Sequence, residues 1–272
     1  MSSGHLLREH APISEAAWQT IDEEARRRLL PGMAARRLVD FRGPHGWEHS
    51  ATNLGRVERV KTTAVKGVEA CRRVVLPLFE LRAGFAVSRE ELAAGDRGAE
   101  DVDFADLDAA AQRIVEAENR SVFHSWPEVG IEGISECAPH DVIAGGLTTE
   151  YPSRIARAVE LLLRAGISGP YGLALGREEY TGVVEAAEHG GYPLFDHLRK
   201  ILQGPIVWAP GVSGAIVLSL RGGDFVFDCG QDVAVGYEAH DSGSVSLYLE
   251  ESYSFRVLTP EAAVIIAPSE SG

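Results

Sequence analysis

The stretch from about residue 48 to 76 constrains this chain more than any other. It alternates loosely, and its large apolar residues are few: Val57, Val60, Val65, Val68 and Val74. Thr62, Thr63 and Gly67 mark the tip of a two-stranded arm. A lone ribbon of two strands is marginal in water, and the unpaired edges and thin apolar face of this one require a partner. Either the arm lies on its own domain as an ordinary hairpin, or it completes itself on another molecule.

The segments around the arm read as an α+β protein. Ser14 caps a helix that starts after Ala11-Pro12, with Trp18, Ile21, Ala25 and Leu29 at helical spacing and Pro31-Gly32 as its stop. Leu76 to Val87 reads as one long strand. Ser88 with Glu91 three residues on forms a capping box for a short helix that ends at Gly95. Asp103 caps a longer helix, one side of which carries Leu107, Ala111, Ile114, Val115, Glu118 and Val122 and which runs to about Ser125. After a Pro-, Gly- and Thr-rich segment from 135 to 152, helices and short strands alternate to about Leu220. From Gly222 onward the pattern is mostly β.

Composition narrows the class. The chain has 272 residues, 45% hydrophobic and 24% charged, which is ordinary for a globular protein and excludes a disordered polymer. Forty acidic residues against 26 basic give a net charge of −14, which argues against a nucleic-acid binder. The longest apolar runs, Gly214–Leu220 and Ala262–Pro268, are strand-sized, so no transmembrane helix is expected. The first ten residues lack a basic patch before an apolar core, so no signal peptide is expected either. Cys71, Cys137 and Cys229 are odd in number and far apart, which fits a reducing, cytoplasmic setting better than a disulfide frame or zinc site.

Catalytic signatures are missing. Gly211-Val212-Ser213-Gly214-Ala215 lacks the closing glycine of a nucleophile elbow. There is no phosphate-binding loop or dinucleotide fingerprint, and the nine histidines have no metal-ligand spacing. Arg221-Gly222-Gly223-Asp224 reads as a tight turn, and Glu116 and Glu118 as a solvated or ion-paired helix face. No enzyme and no cofactor is expected.

The order of elements, with Arg36 to Asp40, Gly43-Pro44-x-Gly46-Trp47-Glu48, Gly169-Pro170-Tyr171, Tyr192-Pro193, Arg221-Gly222-Gly223-Asp224-Phe225 and Gly230-Gln231-Asp232-x-x-x-Gly236-Tyr237, resembles the type 1 encapsulin shell proteins, also labelled linocin or bacteriocin proteins. The resemblance runs from Ala11-Pro12 to about Ala267. It implies the HK97-like capsid fold of tailed phages: an N-terminal helix and arm (1–42), an extended loop (43–80), a peripheral domain in two parts (81–152 and 221–272) and an axial domain (153–220). It also implies a homo-oligomeric icosahedral shell, 60 copies expected, in the bacterial cytoplasm. The shell would enclose a cargo enzyme, such as a dye-decolorising peroxidase or a ferritin-like protein, held by a C-terminal targeting peptide. A secreted bacteriocin or protease, and a phage-derived capsid that packages nucleic acid, are the competing functions.

The resemblance also implies sites. Arg36 and Asp40 match polar positions of the cargo-peptide groove, and Val235 matches its apolar wall. From the residues alone, an intrachain Arg36–Asp40 ion pair is the simpler expectation. His189, Gly190, Gly191 and Tyr192 match the loop that lines the five-fold pore. No flavin is expected, because residues 88–92 contain no aromatic side chain.

Overall fold

Ser14 starts the first helix as its spacing suggests. Its Oγ accepts the Ala17 N–H at 3.0 Å, and α1 runs from Glu15 to Leu29 with Trp18, Ile21, Ala25 and Leu29 buried. The computed structural model describes residues 4–61, 64–186 and 193–268. A single turn, α2 (Ala35–Leu38), then hands the chain to β1 (Asp40–Arg42).

The arm follows as β2 (Ala51–Arg59) antiparallel to β3 (Cys71–Pro77), with a register shift between Asn53 and Arg56. These two strands pair only with each other. Toward the tip they are exposed, and Val57, Val60, Val65 and Val68 are all open to solvent. The expected long strand from Leu76 is interrupted at Leu78, whose N–H bonds back to the Ser50 carbonyl at the arm's base. The chain resumes as β4 (Phe79–Ser88), where Leu81, Ala83, Phe85 and Val87 alternate into the core.

Ser88 caps α3 (Arg89–Asp96) by accepting the Glu90 N–H. Glu91 does not close the capping box; its Oε2 accepts the Asp103 N–H at 2.9 Å and pins the loop before the next helix. Asp103 accepts the Ala105 N–H at the head of α4 (Ala105–Phe123), the 19-residue spine. All six side chains that the spacing sets on one side of it are buried. Each large apolar one stabilises the fold by about 1.5–3 kcal/mol.

Short strands β5 (Ser125–Trp126) and β6 (Ile131–Glu132) and the turn α5 (Ile134–Cys137) lead to α6 (Tyr151–Arg164), β7 (Tyr171–Leu175), α7 (Arg177–Glu185) and α8 (Leu194–Leu202). Strands β8 (Ile206–Trp208), β9 (Ala215–Ser219), β10 (Phe225–Cys229), β11 (Ala234–His240), β12 (Ser244–Val257) and β13 (Ala263–Ile266) complete the chain.

Two main sheets result. In the larger, β12 carries β4 along one edge and β11 then β10 along the other, and β1 adds parallel to β10. The smaller has the order β13–β9–β7–β8, and every residue of β7 and β9 is buried. The terminal strand β13 therefore returns to the smaller sheet, so the described residues from 221 to 268 contribute to both layers rather than to one. The Arg221–Asp224 string is a turn, as expected. The Arg221 guanidinium donates to both Asp224 oxygens, at 3.0 and 2.8 Å, and Gly222 and Gly223 sit at φ 84° and 83°. Gly43 is required for two reasons. Its φ is 108°, and a Cβ there would lie 2.4 Å from the Cys229 carbonyl oxygen.

Candidate functional site

Arg36 projects from α2 into the gap between α4 and β12. Its Nε donates to Glu118 at 2.7 Å, Nη2 to Glu251 at 2.6 Å and Nη1 to Asp232 at 2.5 Å. Glu118 and Glu251 are fully buried, whereas Asp232 is at the rim. The guanidinium also lies over the Phe41 and Phe227 rings, 5.2 and 5.5 Å from their centroids. Burial works against its charge, but Glu118 and Glu251 more than compensate and raise its proton affinity. One cation cannot neutralise two buried carboxylates and a third at the rim. Burial, reinforced by Glu118, pushes Glu251 well above the ordinary carboxylate range, and burial raises Glu118 too. The pair therefore takes up a proton more readily than ordinary carboxylates do. Glu118 is an ion-paired residue of the interior rather than part of a solvated face.

Asp40 faces elsewhere. Its Oδ2 accepts the Gly223 N–H at 2.5 Å, and it lines a small cleft of about 180 Å³ with Leu38, Leu220, Gly222 and Phe225. The simple Arg36–Asp40 ion pair does not form; each side chain is committed to a different partner. Val235 lies opposite Leu249 in β11 and is 2% exposed. Against β11 rest α1 and two short 3-10 turns, Gly4–Leu6 and Arg8–His10. Leu6 is buried, and the His5 ring stacks on Trp47 with centroids 4.0 Å apart. The cleft that contains Asp40 is lined by neither Arg36 nor Val235, so the three residues do not share one open groove in this conformation. His189, Gly190, Gly191 and Tyr192 lie outside the described residues.

Sequence reasoning missed Asn119. Fully buried on α4, its Oδ1 accepts the Ala34 and Ala35 N–H groups, both at 3.1 Å, and its Nδ2 donates to the Gly32 and Pro210 carbonyls at 2.8 and 3.1 Å. It ties the bend before α2 to the spine and to the loop after β8. A lone Asn inside an apolar helix face was the available signal.

An open cavity of about 1170 Å³ is lined by Arg120, His124, Glu132, Glu136, Cys137 and Ser213 among others. It has the residue types of a hydrolase but not the geometry. His124 accepts the Ser213 backbone N–H through Nε2 at 3.1 Å, so that nitrogen is not available as a base to the hydroxyl. Burial, then Glu132 and Glu136, push the Cys137 thiol up, the opposite of activation. Among the described residues no group of three His, Cys, Asp or Glu side chains is gathered to hold a metal ion.

Two sheets, a long spine helix and a free arm are also the parts of known capsid proteins. A virus-like particle protein from Pyrococcus furiosus superposes with a TM-score of 0.58 at 20% identity, covering 89% of this chain and 97% of that one. A chain from Microbacterium phage Oxtober96 gives 0.55 at 12% identity over 88% and 91%. The fold is the HK97-like capsid fold. At the sequence level, the family described as "Encapsulating protein for peroxidase" matches residues 3–254. A type 1 encapsulin shell protein of Rhodospirillum rubrum is 45% identical over 265 residues, 95% of each chain. The chain belongs to the encapsulin shell-protein family. Further members from Rhodococcus erythropolis and Mycobacterium tuberculosis are 40% and 39% identical, each over 97% of this chain and 99% of the relative. As an encapsulin of capsid fold it is a structural shell subunit, not an enzyme. No helix among the described residues is long and apolar enough to cross a membrane.

Proposed function

We propose that this encapsulin closes into an icosahedral shell, with 60 copies expected, in the bacterial cytoplasm, and that the shell encloses a cargo enzyme bound through a C-terminal targeting peptide. The observation that carries the reading is the β2–β3 arm, exposed toward its tip and, among the described residues, in a backbone ladder with no other strand, although Thr52 at its base shares a side-chain hydrogen bond with Ser254. Backbone groups and apolar side chains left open in this way gain partners when copies assemble. A contact repeated from copy to copy closes into a shell when its rotation closes. The net charge of −14 speaks against packaged nucleic acid.

For cargo, the family description supports a peroxidase, and a ferritin-like protein is the other class considered. Asp40, half-buried in its cleft, offers the peptide the carboxylate oxygen that Gly223 does not occupy. Arg36 and Val235 would join the groove once the Gly4–His10 segment moves off β11. His189, Gly190, Gly191 and Tyr192, between α7 and α8, would line the five-fold pore. The test is to co-express the full chain with a fluorescent protein ending in a peptide built around Gly-Ser-Leu. Co-purification with the particles is expected, together with loss of most of the load in Asp40→Ala. Particles that exclude the tagged protein, or that absorb mainly at 260 nm, would overturn the cargo reading.

A further inference from the structure

The loop between β8 and β9, residues 209–214, lies along the spine helix and ties the smaller sheet to it. Gly211 passes so close to α4 that a Cβ there would stand 2.9 Å from the Glu116 carbonyl oxygen. On its other side the loop reaches the head of α7, where the Gly214 carbonyl accepts the Gly176 N–H at 2.9 Å. Two side chains fasten it to the spine. Asn119 Nδ2 donates to the Pro210 carbonyl at 3.1 Å, and His124 Nε2, at the C-terminal cap of α4, accepts the Ser213 N–H at 3.1 Å. Among the described residues the Ser213 N–H makes no backbone hydrogen bond.

The two fastenings differ in kind, because a carboxamide does not titrate and an imidazole does. A backbone N–H can only donate, so Nε2 must keep its lone pair. The neutral ring then carries its proton on Nδ1, 3.3 Å from Ser135 Oγ. Protonation of Nε2 sets one N–H against another and turns the contact repulsive. The ring is half-buried in the cavity of about 1170 Å³. Arg120 faces that cavity from α4, Glu132 from β6, and Glu136 and Cys137 from α5. The 209–214 loop has no ionisable side chain, and Pro260 adds none. Burial first, then Arg120, push the His124 imidazole below the ordinary histidine value, and Glu136 pulls the other way. The fold therefore prefers the neutral ring. Its stabilising contribution is full above the unfolded value, about 6.5, and is lost as pH falls toward the folded one.

We infer that His124 is an acid-operated latch, whose protonation releases Ser213 and lets residues 211–214 swing off α4 about the Asn119–Pro210 contact. Spine helix α4 packs on β4 and β12 of the larger sheet, whereas the loop feeds β9 of the smaller one. Release of the latch therefore loosens the junction between the two layers. The device is a local two-state element biased by one proton. Both partners belong to one chain, so the inference stands apart from the shell reading.

The test is hydrogen exchange of the full chain, read by mass spectrometry from about pH 7.5 to 5.5 and corrected for the intrinsic pH dependence of exchange. In the wild type the opening of residues 211–214 should rise several-fold over that range, with a ceiling of about tenfold per pH unit. Strands β7 and β9 should keep their protection. His124→Gln puts a neutral amide oxygen near the place of Nε2, so it should keep the loop closed at the upper pH and flatten the dependence. Arg120→Gln removes an exposed cation that opposes protonation and should move the opening to higher pH. A flat wild-type profile overturns the inference, as does a His124→Gln profile with the wild-type slope. Loss of protection in β7 and β9 in step with the loop overturns it too, because that is general acid unfolding. Circular dichroism checks that the variants fold. Should His124→Gln fail to fold, Arg120→Gln decides, and an opening that does not shift to higher pH overturns the latch.

Discussion

The raised proton affinity of the buried Glu118 and Glu251 gives the sharpest test of the interior. Glu251→Gln replaces one carboxyl by a neutral group of the same shape, and the amide oxygen still accepts from Arg36 Nη2, now 2.6 Å from Glu251. Burial holds the folded-state titration of the pair above the ordinary carboxylate value, with Glu251 well above it. Stability from a group raised in this way is full below the unfolded pKa and is lost as pH climbs through the folded one. In the wild type, unfolding therefore releases a proton at any pH between those two values. Stability should fall by about 1.4 kcal/mol per pH unit across that window, which opens near pH 4.3. The Gln variant lacks this dependence. For a chain of this size 1 kcal/mol is worth roughly 2–4 °C, so the gap between the two melting temperatures should move by about 3–5 °C per pH unit in favour of the variant. Tryptophan fluorescence melts of both full-length proteins from pH 5 to 8 give the answer. Parallel lines would refute the raised proton affinity of the pair, and with it the argument that burial outweighs the single guanidinium.

Three further outcomes are expected. Arg36→Met leaves two buried carboxylates without their cation and should destabilise the wild-type protein by about 3–5 kcal/mol, whereas the same change alongside Glu118→Gln and Glu251→Gln should cost far less; urea unfolding compares them. Asn119→Ala removes four hydrogen bonds to buried backbone groups, of which Ala34 N–H and the Gly32 carbonyl keep only each other, and should cost about 2–4 kcal/mol in the same assay, with hydrogen exchange rising first at Ala35. Shortening the arm by joining residue 59 to 71 through a Gly-containing turn should leave the far-ultraviolet spectrum of the body nearly unchanged while abolishing particles in the electron microscope. Particles that persist would show that the arm is not needed for assembly.

Local signals carried the sequence reading a long way. Ser14, Ser88 and the inner face of α4 followed from capping and helical spacing, because those interactions lie within a turn or two of the residues that make them. The arm was legible because something was missing from it, namely enough apolar side chains to cover a ribbon. The limits have the same origin. Arg36 meets Glu251 across 215 positions, and helical spacing, which sets Glu118 beside Ile114 and Val122, does not tell which cation it meets there. Leu78 breaks the long strand because Ser50 takes its N–H, a pairing between the two ends of the arm that alternation does not encode. The return of β13 to β9 likewise depends on which sheet has a free edge. The Arg36, Asp40 and Val235 positions came from family resemblance, and the folded chain places them in three different surroundings.

Sedimentation velocity of the purified full-length chain tests the central claim most directly. The account predicts one fast-moving species with the mass of a closed shell of many copies. A single species with the mass of one 272-residue chain, folded throughout and with its arm protected from protease, would contradict it.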